Sequence, residues 1–202
     1  MIYCTNNIPV KTVDGLSLSE AYREVLKPDE SVTLSSGFTY RLPRFFFEVN
    51  SYEEARATML SKNFHLAEFL VTDFREAELL QTYPKYIPIA VTLTASVLEL
   101  FRKKVGRIVR IASNGGYRSP AHAFNKDHLS VHSWGTAANI YKIGSEYLND
   151  QESIEKYRAI IREHIPGAWV REYGTEPGTS YDQLHMDLGL TVMSPERIKL
   201  VD

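Results

Sequence analysis

The sequence predicts an α+β domain built around an antiparallel sheet. Helical and strand patterns alternate along the 202 residues, but without the regular βαβ rhythm that a parallel sheet requires. Hydrophobic residues make up 44% of the chain and charged residues 24%, which is ordinary globular usage, so neither disorder nor a fibrous repeat is expected. The chain contains no internal repeat and no low-complexity linker.

The first 63 residues predict a small α+β extension. Ser17 and Glu20 have the spacing of a capping box, and Ser51 and Glu54 repeat it, so a helix is expected to begin at each serine. Between these helices, alternating segments on either side of residues 36–37 predict a hairpin, and a strand is expected over 44–49. Nothing in this extension indicates a chemical role.

The remainder, residues 64–202, predicts a larger domain. Apolar residues recur at helical spacing over 88–104, with Pro88 in the first turn, cations in the last turn and Gly106 at the end. A second amphipathic helix is expected over 150–164. Strands are expected over 107–112, 137–143, 168–173 and 183–189, and a loop-rich stretch over 113–136.

Charge and composition narrow the classes of function. The 23 Lys and Arg residues nearly balance the 25 Asp and Glu residues, for a formal net charge of −2, so a nucleic-acid partner is not expected. A single cysteine, Cys4, excludes a disulfide framework and a thiolate-rich metal site. No signal peptide or membrane span is apparent, so we expect a soluble protein that is cytoplasmic or is released by a non-classical or phage route.

Most of the six histidines have simple structural interpretations. His164 suits the C-terminal end of a helix, and nothing near His65 or His122 demands a metal. His128 and His132 are four residues apart, but the sequence around them is poor in helix formers, which argues against a helical zinc motif. The basic cluster at 102–110 is interpreted as a solvated helix end.

The most informative set of residues is spread along the chain. His132 precedes Asn139 by seven residues, and His185 stands on a predicted strand with Asp182 three residues before it. Arg118 lies in a turn that follows another predicted strand. Without cysteine thiolates, a metal here would be held by imidazole nitrogens and by oxygen atoms.

These motifs, in this order, resemble those of the zinc D-Ala-D-Ala peptidases of the VanX and VanY type. The matching segments are N-G-G-Y-R-S-P at 114–120, S-V-H-S-W-G-T-A-A-N at 130–139 and L-H-M-D at 184–187. The resemblance covers residues 64–190, and the superfamily includes the Hedgehog signalling domain. It implies a Hedgehog/DD-peptidase-like fold for residues 64–202, with a central antiparallel sheet flanked by helices.

The resemblance also implies roles for individual residues. His132 and His185 match zinc ligands, and Asn139 stands where the family has a third ligand, Asp. Asp182 occupies the position of a general-base Glu, one methylene shorter, and Arg118 matches an arginine that holds substrate or stabilises negative charge. The expected substrate-contacting residues are Arg118, Tyr117, Ser130 and Trp134.

The function implied is a zinc-dependent peptidase acting on D-alanyl stem peptides of peptidoglycan, or on a small dipeptide, through attack by a metal-activated water. Asn139 brings no negative charge, so zinc affinity should fall, whereas the less neutralised zinc would be a stronger Lewis acid. Asp182 or Asp187 could also serve as the third ligand. Two alternatives remain open: a catalytically silent module that binds cell-wall peptide or a protein partner, and a phage-associated structural or lysis module.

Overall fold

A computed structural model describes residues 10–34, 37–125, 129–175 and 183–195, and confirms a mixed α+β architecture with antiparallel sheets. None of the helices in these ranges is long and apolar enough to cross a membrane. The α-helices are α1 (Glu20–Leu26), α2 (Tyr52–Ala57), α3 (Glu78–Gln81), α4 (Val91–Val105) and α5 (Gln151–His164). The strands are β1 (Lys11–Asp14), β2 (Ser31–Thr33), β3 (Thr39–Arg41), β4 (Phe45–Val49), β5 (Lys85–Pro88), β6 (Val109–Ile111), β7 (Ala137–Ile143), β8 (Glu146–Tyr147), β9 (Trp169–Val170) and β10 (Leu184–Asp187).

The strands form three sheets. The largest has the order β6-β7-β10-β9, with β8 also paired to β7. The second has the order β1-β4-β5, and β2 pairs with β3 as the predicted hairpin, whose residues 35–36 lie outside the described ranges. Every strand pair is antiparallel.

The largest sheet packs its inner face against the two long helices. Leu98 and Phe101 of α4 are fully buried, as is Ile161 of α5, and they belong to the same core as Ile140 of β7 and Met186 of β10. The ring of Phe101 also meets that of Tyr157 on α5 edge-on, with 6.3 Å between centroids. The helices therefore cover one face of the sheet and leave the other face to the loops.

Strands on both sides of residue 63 share one sheet. In the second sheet β4 pairs with β5, and Phe46 and Phe47 of β4 are buried in the same core as the helices. Trp134, far along the chain, donates a hydrogen bond from Nε1 to the carbonyl oxygen of Arg41 at 2.9 Å. The proposed division into units 1–63 and 64–202 stays a prediction.

Helix boundaries follow the expected capping chemistry with two exceptions. The helix predicted at Ser17 begins at Glu20 after Ser19, because the backbone of residues 15–17 forms a 3-10 turn capped by Asp14. The helix predicted from Pro88 begins at Val91, because Pro88 is the last residue of β5.

The other helix ends agree with expectation. Ser51 accepts a hydrogen bond from the backbone N–H of Glu54, although the Glu54 carboxylate accepts from Asn50 rather than from Ser51 itself. Helix α4 ends at Gly106, which has a φ of 63°, and Asp150 caps α5. The strand predicted over 168–173 is confined to the two residues of β9.

Two leucines on α4 test how far the core depends on this helix. Leu98 is fully buried, whereas Leu100 on the opposite side is 56% exposed. We expect Leu98→Ala to lower the free energy of unfolding by about 2–5 kcal/mol, because it removes buried methyl groups and leaves a cavity. Leu100→Ala should change it by less than about 0.5 kcal/mol. Chemical denaturation of both variants measures the difference, and equal losses would contradict the packing described.

Candidate functional site

The pairing of β7 with β10 brings together two of the predicted ligands. Asn139 and His185 are Cα partners in the antiparallel register. Their neighbours Ile140, Leu184 and Met186 are buried in the core, so alternation along the strands turns Asn139 and His185 to the opposite face. There Nδ1 of His185 lies 2.7 Å from Oδ1 of Asn139.

The second nitrogen of His185 is occupied by a carboxylate from the same strand. Nε2 of His185 lies 3.1 Å from Oδ2 of Asp187, and both side chains are about nine-tenths buried. The other carboxylate oxygen of Asp187 accepts from the N–H of Gly189 at 2.8 Å. Because a carboxylate only accepts, Nε2 carries the hydrogen and Asp187 sets the orientation of the ring.

This assignment leaves two lone-pair atoms in contact. With its hydrogen on Nε2, a neutral His185 presents an unprotonated Nδ1 to Oδ1 of Asn139. Three arrangements satisfy the contact: a second hydrogen on the ring, a half-turn of the Asn139 amide, or a cation shared by both atoms. The first two are metal-free and the third is a metal site.

His132 reaches the same place from a short 3-10 turn, Val131–Trp134. Its Nδ1 lies 2.6 Å from the carbonyl oxygen of Gly116, so Nδ1 carries the hydrogen and Nε2 the lone pair. The ring centroids of His132 and His185 are 5.2 Å apart, and Asn139 hydrogen-bonds to His132 as well. Burial, followed by the nearby charge of Arg118, holds the pKa of His132 well below its usual range, so the ring is neutral at neutral pH.

Position 116, whose carbonyl oxygen contacts His132, has room only for a glycine. A Cβ atom there would lie 2.5 Å from the carbonyl oxygen of Phe69 and 2.6 Å from its Cα. The backbone of Phe69 also accepts a hydrogen bond from the N–H of Tyr117 at 2.9 Å. The backbone of residues 116–117 is thus packed directly on the backbone of Phe69, which fixes the position of the Gly116 carbonyl group that faces His132.

Arg118 is held beside the histidines by a polar network. Its Nε donates to the carbonyl oxygen of Asn114 at 2.6 Å, and its guanidinium lies 5.2 Å from the centre of the Phe124 ring. Burial, together with the positive charges of Arg75 and Arg171, lowers the pKa of Arg118 to about 10. The side chain therefore remains a cation at neutral pH.

Asp73 anchors the turn on which Arg118 is mounted. Its carboxylate pairs with the guanidinium of Arg75 and accepts from Nδ2 of Asn114 at 2.6 Å. Oδ1 of Asn114 in turn accepts from the backbone N–H of Asp73 at 3.1 Å. Asn114 has a φ of 54°, a left-handed conformation that asparagine tolerates better than most residues.

Two of the predicted substrate contacts belong to the core. Trp134 is fully buried and Tyr117 is 4% exposed, with its hydroxyl buried and unpartnered in the described part of the chain. Burial raises the pKa of the Tyr117 phenol well above its usual range. Ser130 caps the turn of His132, accepting from the His132 N–H at 3.4 Å. Tyr117 and Trp134 thus belong to the core, Ser130 is half-buried, and the role of the three residues as substrate contacts stays a prediction.

Two of the other sequence candidates lie outside the described residues. Asp182, the predicted general base, falls in the gap 176–182, and His128 falls in the gap 126–128. Within the ranges that the structure describes, no group of three His, Cys, Asp or Glu side chains is arranged to hold a metal ion. If His132 and His185 bind a metal, the third ligand among the described residues would be the side-chain amide of Asn139.

Sequence reasoning missed two residues near the site. Trp169 of β9 is the Cα partner of Asp187, and its ring lies 5.7 Å from that of His185 while the side chain remains 51% exposed. Glu76 is 4% exposed and accepts from the N–H and Oγ of Ser119, at 3.0 and 2.5 Å. For Trp169 the sequence offered only a tryptophan within a predicted strand, and nothing in the sequence distinguishes Glu76.

Asp73 allows a test of the network under Arg118. The Arg75 guanidinium beside it holds the pKa of the Asp73 carboxyl far below its ordinary value. The carboxylate therefore stabilises the fold above about pH 4, and this contribution is lost as the pH falls through the lowered pKa. We expect Asp73→Asn to lower the free energy of unfolding by roughly 1–2 kcal/mol at neutral pH, with the gap from native closing in acid.

The control for that experiment is a surface ion pair. Asp29 pairs with Arg41 at 3.1 Å, and the Arg41 side chain is 63% exposed while that of Asp29 is 33% exposed. Asp29→Asn should cost less than about 1 kcal/mol at neutral pH. Urea unfolding of the three proteins between neutral and acidic pH makes the comparison, and a gap for Asp73→Asn that does not shrink in acid would contradict the role given to the carboxylate.

Comparison with protein-family models, with curated proteins and with solved structures gives no match for this chain.

Proposed function

We propose that the chain is a zinc-dependent amide hydrolase of the D-Ala-D-Ala peptidase kind, with His132, His185 and Asn139 as its metal ligands. The observation that carries the proposal is the meeting of these three side chains. They stand up to 53 residues apart in sequence, yet Asn139 contacts both rings and the ring centroids lie 5.2 Å apart. The motif resemblance named the same three residues.

The donor chemistry fits a zinc ion. Each histidine uses one ring nitrogen for a hydrogen bond to an oxygen, His132 to Gly116 and His185 to Asp187, and keeps the other nitrogen free of hydrogen. A metal-bound histidine ordinarily has such an outer partner, which fixes the tautomer and the plane of the ring. Two imidazole nitrogens and one amide oxygen would hold the ion and would leave room for water or substrate beside it.

Zinc bound in this way supplies Lewis acidity and a water molecule of lowered pKa. The protein's own contribution is positioning and charge. Arg118 remains a cation at neutral pH and presents a planar guanidinium suited to a carboxylate, so it is assigned to the substrate's terminal carboxylate or to the developing oxyanion. Asp182 is assigned to accept the proton of the attacking water and to pass it to the leaving amine, as the resemblance implies.

The substrate class proposed is a D-alanyl peptide, either the stem of peptidoglycan or a small dipeptide of similar shape. This substrate class comes from the motif resemblance, which leaves both forms open. Two features of the site agree with a short peptide that ends in a carboxylate. One is the cationic Arg118 beside the histidines, with the positive charges of Arg75 and Arg171 near it, and the other is the half-exposed ring of Trp169, which adds an apolar wall next to His185.

A second candidate is a catalytically silent binding domain. It is favoured by the partners of His185, whose two nitrogens both lie within hydrogen-bonding distance of an oxygen atom. A doubly protonated ring between Asn139 and Asp187 would be satisfied without any metal. Asn139 is also neutral, so it does less than an aspartate would to hold a divalent cation.

The decisive experiment measures bound zinc and hydrolysis in the native protein and in His185→Ala and Asn139→Asp. We expect about one zinc per native chain and cleavage of a D-Ala-D-Ala-terminated pentapeptide. His185→Ala should abolish both. Asn139→Asp should tighten zinc binding by about tenfold or more, because a carboxylate adds a negative charge at the ligand position.

Asn50→Asp is the matched control, since it adds the same charge on an exposed residue before α2. It should leave zinc affinity and cleavage unchanged. Native protein that binds no zinc and cleaves nothing, joined by an Asn139→Asp variant that does both, would identify the silent binding domain. Absence of zinc and of cleavage in every variant would overturn the peptidase proposal.

A further inference from the structure

A pocket of about 680 Å3 opens on the largest sheet, two residues along the strands from Asn139 and His185. This size is within the range of small-molecule sites in proteins. None of its lining residues carries a charge. They are Ile111, Ala112, Ser113, Tyr141, Tyr147, Asn149 and Gln183.

The strand register joins this pocket to the candidate metal site. Tyr141 follows Asn139 by two residues on β7, and Gln183 precedes His185 by two residues just before β10. Extending the antiparallel register of Leu184 with Ile140 by one residue places Gln183 opposite Tyr141. A two-residue step along a strand is about 7 Å, so one ligand of modest length can occupy both places.

An irregularity in β7 turns Tyr141 toward the pocket. Arg110 pairs with Lys142 and Ile111 pairs with Ile140, so Tyr141 is an extra residue with no partner on β6. Such a bulge redirects side chains and is frequent beside active sites. Tyr147 of β8 stands opposite Lys142, and its ring centroid is 6.2 Å from that of Tyr141.

The polar groups of the pocket are available to a ligand. Within the described ranges, the side chains of Ser113, Asn149 and Gln183 and the two tyrosine hydroxyls make no hydrogen bond to another residue. The pocket thus offers two aromatic rings, two carboxamides and hydroxyl groups, and Nζ of Lys142 lies 4.2 Å from the centre of the Tyr147 ring. This combination suits a pyranose sugar, whose C–H face packs on aromatic rings and whose hydroxyls pair with amides.

We propose that the pocket binds an uncharged sugar ring, and that the site's preferred substrate is a stem peptide still attached to its glycan. The second half rests on the proposed function, whereas the first half does not. A peptide ammonium group is disfavoured, because the lining residues carry no carboxylate and Lys142, beside the Tyr147 ring, adds a positive charge. The sugar and the peptide would lie side by side on β7 and β10.

Binding of the β-1,4-linked dimer of N-acetylglucosamine, followed by NMR titration of the full chain, tests the sugar site directly. We expect saturable binding in native protein, weakened about fivefold to tenfold in Tyr147→Ala and Tyr141→Ala. Tyr147 is 56% exposed, so its removal leaves the core intact. The control Tyr52→Ala removes a similarly exposed ring on α2, outside the pocket, and should bind the dimer as native protein does.

The outcomes separate this inference from the proposed function. His185→Ala should still bind the dimer, because the pocket does not contain the metal ligands. Failure of the dimer to bind at millimolar concentration, or equal binding by native protein and both pocket variants, would overturn the sugar site. So would tight binding of a sugar-free pentapeptide that is lost in Tyr147→Ala, which would identify a peptide site instead.

Hydrolysis supplies the second readout. If the protein cleaves, kcat/KM should be higher for a disaccharide-linked stem peptide than for the free peptide, and Tyr147→Ala should remove that preference without reducing cleavage of the free peptide. Cleavage of both substrates at equal rates would overturn the preference while leaving the peptidase proposal in place. Sugar binding without any cleavage would leave the pocket in place and contradict the peptidase.

Discussion

The antiparallel register between β7 and β10 is the constraint on which the arrangement of the site depends. It sets Asn139 directly opposite His185, with Leu184 and Met186 committed to the core on the other face. A slip of one residue would turn the histidine into the core and a methionine or leucine into the site. The buried Leu184 and Met186 therefore fix the position of His185. A shifted register would bury an unpaired imidazole, which costs free energy.

His132 is joined to this sheet through backbone contacts instead of strand pairing. Its ring contacts the segment 114–118 at the carbonyl oxygen of Gly116, and that segment reaches β7 through a hydrogen bond from the N–H of Asn139 to the carbonyl oxygen of Gly115. The same segment carries Arg118 at one end and is tied to Asp73 at the other. One loop thus sets the relative positions of a cation and an imidazole, and it can do so because its glycines allow the backbone to pass against its neighbours.

Much of the fold followed from local sequence signals. The helix ends at Gly106 and Asp150, the strand at 137–143 and the hairpin at 31–41 depend on residues close in the chain, and each was predictable. Two helix starts were predicted too early, because other structure forms at those residues. Asp14 caps a 3-10 turn that includes Ser17, and Pro88 lies in β5, which pairs with β4. Asn139, His132 and His185 were named together only through the motif resemblance. The contacts of Glu76 and Trp169 depend on pairing between distant segments, and a single sequence carries no direct record of that pairing.

The pairing of β4 with β5 has a consequence for truncated forms of the protein. A fragment that began after residue 63 would lose Phe46, Phe47 and Val49 from the core and would lack β4, the strand with which β5 pairs in the described part of the chain. An unpaired strand edge beside newly exposed core side chains can pair with strands of other molecules. Self-association of such a fragment would then reflect the missing strand β4 and not any property of the candidate site, so the oligomeric state should be measured on all 202 residues.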